Sequence, residues 1–271
     1  MSANERAFAG SNTSAARWYA KQADWWPSHY VHAVSQAEAF LGGGGISMKG
    51  KDILDIGCGD GIISLGIARN TSPRSVLGLD LVEVDLSFLN NQATANSIEP
   101  YSRSDCLKFA ISTPNVIPVS DESFDIVTAW SVFEHVDSPV DLLHEIFRSL
   151  KPGGALFIQV WPLWFSEHGS HLWPFFDETF VQLTRTDSEI EGHLSTRFDD
   201  PEIATSFFDL FKSCNKTTVD DLQIALLDTG FFIGRCELDG ASIHVPASLQ
   251  RIPISRLAIQ GIKIVAVKPM T

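Results

Sequence analysis

From Lys51 onward the chain alternates short apolar runs with segments whose apolar positions recur every three to four residues, the signature of strands and helices taken in turn. The runs predict strands over residues 53–56, 75–80, 124–129 and 155–160, with a weaker candidate at 103–106. The clearest helix is predicted over 139–150, where Leu142, Leu143, Ile146, Phe147 and Leu150 form one stripe and Pro139 suits the first turn. Lys151-Pro152-Gly153-Gly154 ends it and turns the chain into the next strand. Repeated strand-helix-strand units imply a mostly parallel sheet covered by helices, because parallel neighbours need a crossover long enough to hold one.

Both ends and one interior stretch depart from this rhythm. Residues 1–45 carry no strand pattern, but Trp18, Tyr19, Trp25, Trp26 and Tyr30 crowd together and a helical stretch runs to Phe40 and Leu41. This predicts a helical cap over 1–45, joined through glycines 42–45 as a flexible hinge to a main domain over 46–271. Residues 161–216 open with the tract WPLWFSEHGSHLWPFF and continue as a polar stretch of little periodicity, and an insertion of that length after a strand usually carries function. Thr217 or Thr218 can N-cap a helix carrying Val219, Leu222 and Leu226 and stopped by Gly230. Runs at 231–237 and 261–267 predict two last strands paired antiparallel at an edge, with a helix expected near 248–257. The sum is an α/β, Rossmann-like fold: a mostly parallel seven-stranded sheet with an antiparallel C-terminal edge, an N-terminal cap and an insertion after the fifth strand.

Composition narrows the partners. With 271 residues, 44% of them hydrophobic and 20% charged, the chain can bury a sizeable core and does not read as disordered. The formal net charge of -13, with no cluster of Lys and Arg, gives counterion release the wrong sign for a nucleic-acid partner. A small-molecule acceptor is the expected substrate, with neither nucleic acid nor membrane as partner, and the oligomeric state is left open. Cys58, Cys106, Cys214 and Cys236 show no disulfide framework or zinc-type spacing, and the sequence has neither a leader pattern nor a membrane-spanning run, so a cytoplasmic setting is expected.

Chemistry concentrates where the first strand enters its loop, Ile53-Leu54-Asp55-Ile56-Gly57-Cys58-Gly59-Asp60-Gly61. Glycines at alternate positions let backbone and helix terminus approach a nucleotide, and Asp55 can accept hydrogen bonds through the loop or from a cationic ligand. A pyrophosphate reader has the spacing GxGxxG; here it is GxGxG with Asp60 inside the loop, which suits a positively charged sulfonium better than an anion. Asp80 closes the second strand, where a carboxylate can take both hydroxyls of a ribose.

Taken in order, LDIGCGDG, GLD, SFDIVTAWSVFEHVDSP and LLHEIFRSLKPGGALFI resemble the successive motifs of class I S-adenosylmethionine-dependent methyltransferases. The resemblance implies S-adenosyl-L-methionine as cofactor. It implies that Gly57, Cys58, Gly59 and Gly61 line it, Asp80 with Leu81 holds its ribose, Asp105 with Cys106 faces the adenine, and Trp130 with Ser131 follows the fourth strand on the methionine side. An Asn/Asp-Pro-Pro-aromatic motif of base-methylating enzymes is absent after that strand, where Ala129-Trp130-Ser131-Val132 stands.

For a hydroxyl acceptor a base is useful, and histidine titrates in the right range. His135 follows the fourth strand, and His168 and His171 lie in the aromatic insertion at the carboxyl end of the fifth. Each has a structural alternative in packing. A metal held by His168 and His171 lacks an evident third ligand, and Gly169 argues against a regular helix there. The aromatic cap can be a lid over the site or plain core. The function expected is methyl transfer to a hydroxyl of a saccharide-like or secondary-metabolite molecule. The alternatives are a catalytically silent cofactor-binding module and, disfavoured by the loop spacing, a nicotinamide-dependent oxidoreductase.

Overall fold

The computed structural model describes residues 13–102 and 106–270. The elements run α1 (Ser14–Tyr19), α2 (Trp25–Pro27), a π-helical segment (Ser28–Ala33), α3 (Val34–Gly42), β1 (Asp52–Ile56), α4 (Ile62–Asn70), β2 (Ser75–Asp80), α5 (Leu86–Ala95), β3 (Leu107–Ile111) and β4 (Phe124–Trp130). They continue with α6 (Pro139–Ser149), β5 (Leu150–Val160), α7 (Val181–Thr184), α8 (Asp187–Arg197), α9 (Pro201–Ser213), α10 (Val219–Thr229), β6 (Phe232–Gly240), α11 (Ile254–Ala258) and β7 (Ile259–Val267).

The seven strands form one sheet in the order β3-β2-β1-β4-β5-β7-β6. The pairs from β3 to β5 are parallel, whereas β7 lies antiparallel to both β5 and β6. The order reverses between β1 and β4, and both strands deliver their carboxyl ends to that crevice, the place where open α/β sheets bind ligands. The central strands are apolar on both faces because helices cover both, with Ile53, Leu54, Ile126, Val127, Leu156 and Phe157 all fully or nearly fully buried.

The predicted helix over 139–150 forms as α6, with Ser138 accepting from the Asp141 backbone N–H at its N-terminus and Leu142, Leu143 and Ile146 buried. The strand after it starts earlier than expected: β5 takes in Leu150, paired with Phe124, before a register shift to Ile126 and Ala155. The third strand falls just beyond the expected 103–106: among the described residues, Leu107–Ile111 pairs with β2. The glycines after α3 do not make a slack hinge. Gly43, Gly44, Gly45 and Ile46 all donate backbone N–H groups back to the end of the helix, and the Arg235 guanidinium donates to the Phe40 carbonyl while lying 4.2 Å from its ring centroid. The segment 25–42 is thereby knitted to the sheet: Trp26, Tyr30, Val34, Ala37, Phe40 and Leu41 share one core cluster with Ile53, Ile62, Leu65 and Phe157.

The insertion, expected to be short of regular structure, holds three helices. α8 carries a complete capping box between Thr186 and Glu189, and α9 starts at Asp200-Pro201 and buries Ala204, Phe207 and Phe211 along one stripe. Its own small core also takes in Ala15, Trp18 and Tyr19, so α1 packs on the insertion rather than on the sheet. Near 248–257, Pro253 caps a five-residue α11 in place of the single helix expected, after a 3-10 turn at Ala247–Leu249.

Candidate active site

At the carboxyl end of β1 the chain turns with Gly57, Gly59 and Gly61 all at positive φ. Gly57 makes room for Val132 and Gly61 for Phe109 and Val84, so these two serve close packing. Gly59 differs: with φ at +55°, a Cβ placed there would meet nothing within 4 Å. It faces an open cradle. Beside it Asp80, 8% exposed, accepts from the Gly59 backbone N–H at 2.8 Å through one carboxylate oxygen and from the Leu81 N–H at 2.7 Å through the other. Burial and the neighbouring Asp60 raise the Asp80 pKa against those hydrogen bonds. Two carboxylates beside an open backbone cradle favour a cationic ligand over a pyrophosphate.

Asp55 lies behind the loop rather than in it. Its two oxygens accept from the hydroxyls of Ser64 at 2.5 Å and Thr128 at 2.8 Å, which ties β1 to α4 and β4. Burial pushes its carboxyl up to about 6. Cys58 is buried, and burial first, then Asp55, Asp80 and Asp60, raises its thiol well above the usual range.

Of the expected adenine pair, the register of the sheet bears on Cys106 alone. Val76 pairs with Leu107 and Asp80 with Ile111, so Cys106 sits beside the start of β2, at the end of the sheet away from the glycine loop, with its thiol 3.7 Å from the Ala68 carbonyl. Asp105 lies outside the described residues. The position next to Asp80 belongs to Ser112, whose backbone N–H donates to the Asp80 carbonyl at 2.8 Å. Trp130 is drawn into the core against Phe157, ring centroids 4.8 Å apart, with its Nε1–H buried and unpartnered. Ser131, in the left-handed region at φ 49°, is exposed and its hydroxyl donates to the Trp161 carbonyl.

The acceptor side gathers residues far apart in sequence. The rings of His135 and His171 lie edge to face with centroids 5.1 Å apart. Burial depresses His135 to about 3, with His171 adding to the effect, and burial depresses His171 to about 4 against a hydrogen bond to the Pro162 carbonyl. Both rings are therefore neutral near pH 7. His168 does not join them; it sits 6.4 Å from the Trp161 ring and 6.2 Å from the Trp173 ring.

Three contributors to this side escaped sequence reasoning. Glu134 is 3% exposed and neither carboxylate oxygen has a hydrogen bond of good geometry, although the Ser131 side chain and Trp161 backbone lie close enough to moderate its charge; burial pushes it up to about 8. Cys214 and Ser213 arrive at the end of α9, and His135 Nδ1 lies 2.9 Å from the Ser213 hydroxyl. Only the Glu134-His135 pair is visible along the chain; the other two come from an insertion whose helices were not predicted.

The aromatic cap connects the two sides. Trp25 donates from Nε1 to Asp60 of the glycine loop at 3.0 Å, stacks on Tyr19 at 5.7 Å, and the Tyr19 hydroxyl donates to the His171 carbonyl at 3.0 Å.

The sheet order with its single antiparallel strand and the glycine turn at the switch point define the class: an α/β, Rossmann-like methyltransferase fold. Residues 54–158 match the family described as a methyltransferase domain, and they form a class I S-adenosylmethionine-dependent methyltransferase domain, a class whose cofactor is S-adenosyl-L-methionine. Among curated proteins, the ubiquinone biosynthesis O-methyltransferase of Aeromonas salmonicida (strain A449) is 32% identical over 145 residues, which is 53% of this chain and 56% of that protein. The protein of the same name from Pseudomonas fluorescens (strain SBW25) is 30% identical over 141 residues, 52% of this chain and 56% of that protein. The chain thus spans about half the length of the curated relatives it matches. Among solved structures, the methyltransferase in complex with the Haloferax volcanii Trm112 methyltransferase activator has a TM-score of 0.57 at 20% identity, covering 95% of this chain and 99% of that one. The [4+2]-cyclase SpnF has a TM-score of 0.55 at 17% identity, covering 88% and 82%. These two likenesses concern the fold alone. No helix among the described residues is long and apolar enough to cross a membrane.

Proposed function

We propose that the chain transfers a methyl group from S-adenosyl-L-methionine to a hydroxyl of a small molecule, saccharide-like or another secondary metabolite. The observation that carries this is the open cradle at Gly59 beside Asp80 at the switch point, with the His135–His171 pair beyond the end of β4. Gly59 would admit the cofactor, Asp80 with Leu81 would take the ribose, and Ser112 replaces Cys106 as the residue placed towards the adenine. When bound, the cofactor supplies an electrophilic methyl on a sulfonium, open to in-line attack. The chain's own residues bind and orient. Trp25 and Tyr19 close the site against water, and the walls at Trp161 and Trp173 offer faces on which a sugar or phenol ring can stack. His171 and His135 line the place of the acceptor hydroxyl. The curated relatives are named as O-methyltransferases, which supports the hydroxyl and leaves its carrier to experiment.

Fold does not decide reaction, since one structural neighbour is named for a cyclisation. The test is therefore a transfer assay: purified chain, methyl-labelled S-adenosylmethionine, and panels of sugars, nucleotide-free glycosides and phenols. Label in a small-molecule product of one panel is expected. Tight adenosylhomocysteine binding with no transfer to any hydroxyl would leave a silent cofactor-binding module, and a copurifying dinucleotide would leave an oxidoreductase.

A further inference from the structure

The pair of histidines has a third partner that methyl transfer does not require. Among the described residues, His135, His171 and Cys214 form a group whose donor atoms all lie within 4.8 Å of one another. His135 comes from the loop after β4, and His171 and Cys214 from opposite ends of the insertion after β5, the latter where α9 stops.

The rings are set in the tautomer that a metal uses. The Ser213 hydroxyl donates its single proton to the Leu210 carbonyl at 2.7 Å, so the 2.9 Å contact with His135 is donated by Nδ1–H, and the ring's lone pair belongs to Nε2. The Pro162 carbonyl accepts from the His171 ring, while His171 Nε2 is buried with no hydrogen-bond partner. That leaves Nδ1–H as its donor and a bare lone pair on Nε2. An imidazole anchored through one nitrogen to a backbone carbonyl or hydroxyl, with the other turned to the ion, is how proteins orient metal-bound histidine. The bare Nε2 of His171 is costly in a site without a ligand, since a buried acceptor left unpaired forfeits its solvation.

The geometry points to a zinc site in which His135 Nε2, His171 Nε2 and Cys214 Sγ hold one Zn²⁺ and leave its fourth position for water or an acceptor oxygen. Two nitrogens and one sulfur suit this borderline-soft ion, and three protein ligands with one open place is the pattern of catalytic rather than structural zinc. Around a tetrahedral zinc such donors stand roughly 3.3 to 3.6 Å apart, so the group closes by up to about 1.5 Å onto the ion. In this reading the imidazoles bind the ion, and the ion, not a ring, makes a bound hydroxyl acidic. The assignment rests on ligand geometry and stands whether or not the domain transfers a methyl.

The test uses the full chain, freed of metal by a chelator and titrated with Co²⁺, then with Zn²⁺ in competition. One equivalent should bind with a thiolate-to-cobalt charge-transfer band, displaced by zinc. Cys214→Ser should lose that band, and His171→Gln should weaken zinc at least 10²-fold, while His144→Gln, on the exposed side of α6, should match the wild type. Adenosylhomocysteine binding checks that each variant is folded. A second measurement needs no variant: saturating zinc should slow alkylation of Cys214, mapped by mass spectrometry, and leave that of exposed Cys236 unchanged. Absence of stoichiometric binding, a charge-transfer band that survives Cys214→Ser, or equal alkylation of Cys214 with and without zinc would each overturn the site. None of these outcomes depends on the transfer assay, so the two readings fail separately.

Discussion

The two sides of the cleft treat buried carboxylates in opposite ways. Around the glycine loop they are paired: Asp55 takes two hydroxyls, Asp80 takes the N–H groups of Gly59 and Leu81, and Asp60 receives Trp25. Across the cleft, Glu134 keeps two buried oxygens without a hydrogen bond of good geometry, and His171 Nε2 beside it has no partner. Buried polar groups are nearly always satisfied, so the contrast separates a scaffold finished by its own contacts from a wall that waits for something else to complete it. The cofactor side is a backbone device, and its residues hold one another in place. The acceptor side is a side-chain device assembled from three segments, in which a ligand or ion supplies the missing partners.

The strongest way to break this comparison is at the backbone device. Gly59→Val places a branched side chain in the open cradle at a positive φ that such residues avoid, and it should remove adenosylhomocysteine binding by at least about 10²-fold while the sheet survives. Native affinity by calorimetry would mean that the cradle is not the cofactor site. Next in size, His171→Ala should lower kcat/KM for a discovered acceptor by about 10²-fold with cofactor affinity unchanged, because the wall acts only on the acceptor. Loss of cofactor affinity instead would erase the division between the two sides.

Asp80→Ala should weaken the cofactor by roughly 1.5–3 kcal/mol, the range for charge-assisted hydrogen bonds, and it should also loosen the Gly59 turn that Asp80 holds. Calorimetry of the folded variant reads the first effect and amide exchange at Gly59 the second. The smallest effect is a slope. Burial raises Asp55 from 3.8 to about 6, so in that window the folded chain binds a proton that the unfolded chain has released. The stability this contributes is full below about pH 4 and is lost as pH rises towards 6, by at most about 1.4 kcal/mol per pH unit. Asp55→Asn should flatten that part of the Tm against pH profile. An unaltered profile would show that the hydroxyls of Ser64 and Thr128 keep the carboxylate charged throughout.

Local pattern sufficed wherever a residue's role depends on its near neighbours in the chain. Asp55, the three glycines and Asp80 stand at the ends of strands set by short apolar runs, and the stripe of α6 is a property of eleven consecutive residues. The helices of the insertion were missed although their caps, Thr186 with Glu189 and Asp200 with Pro201, are written in sequence; α8 buries only Ile190 and Leu194 and so carries almost no stripe to detect. Cys106 falls at the far end of the sheet because β3 begins at Leu107, and pairing with β2, which no local signal encodes, decides which end of that strand meets the glycine loop. The sequence by itself determined the sheet, its glycine turn and the carboxylate at the next strand's end, because short-range periodicity and backbone sterics specify those. Tertiary structure alone decided that His171 rather than His168 meets His135, that Cys214 joins them, and that Glu134 is buried beside them. Those juxtapositions depend on how an insertion folds back over the sheet, and side chains some eighty residues apart, such as His135 and Ser213, carry no mark of it in their own neighbourhoods.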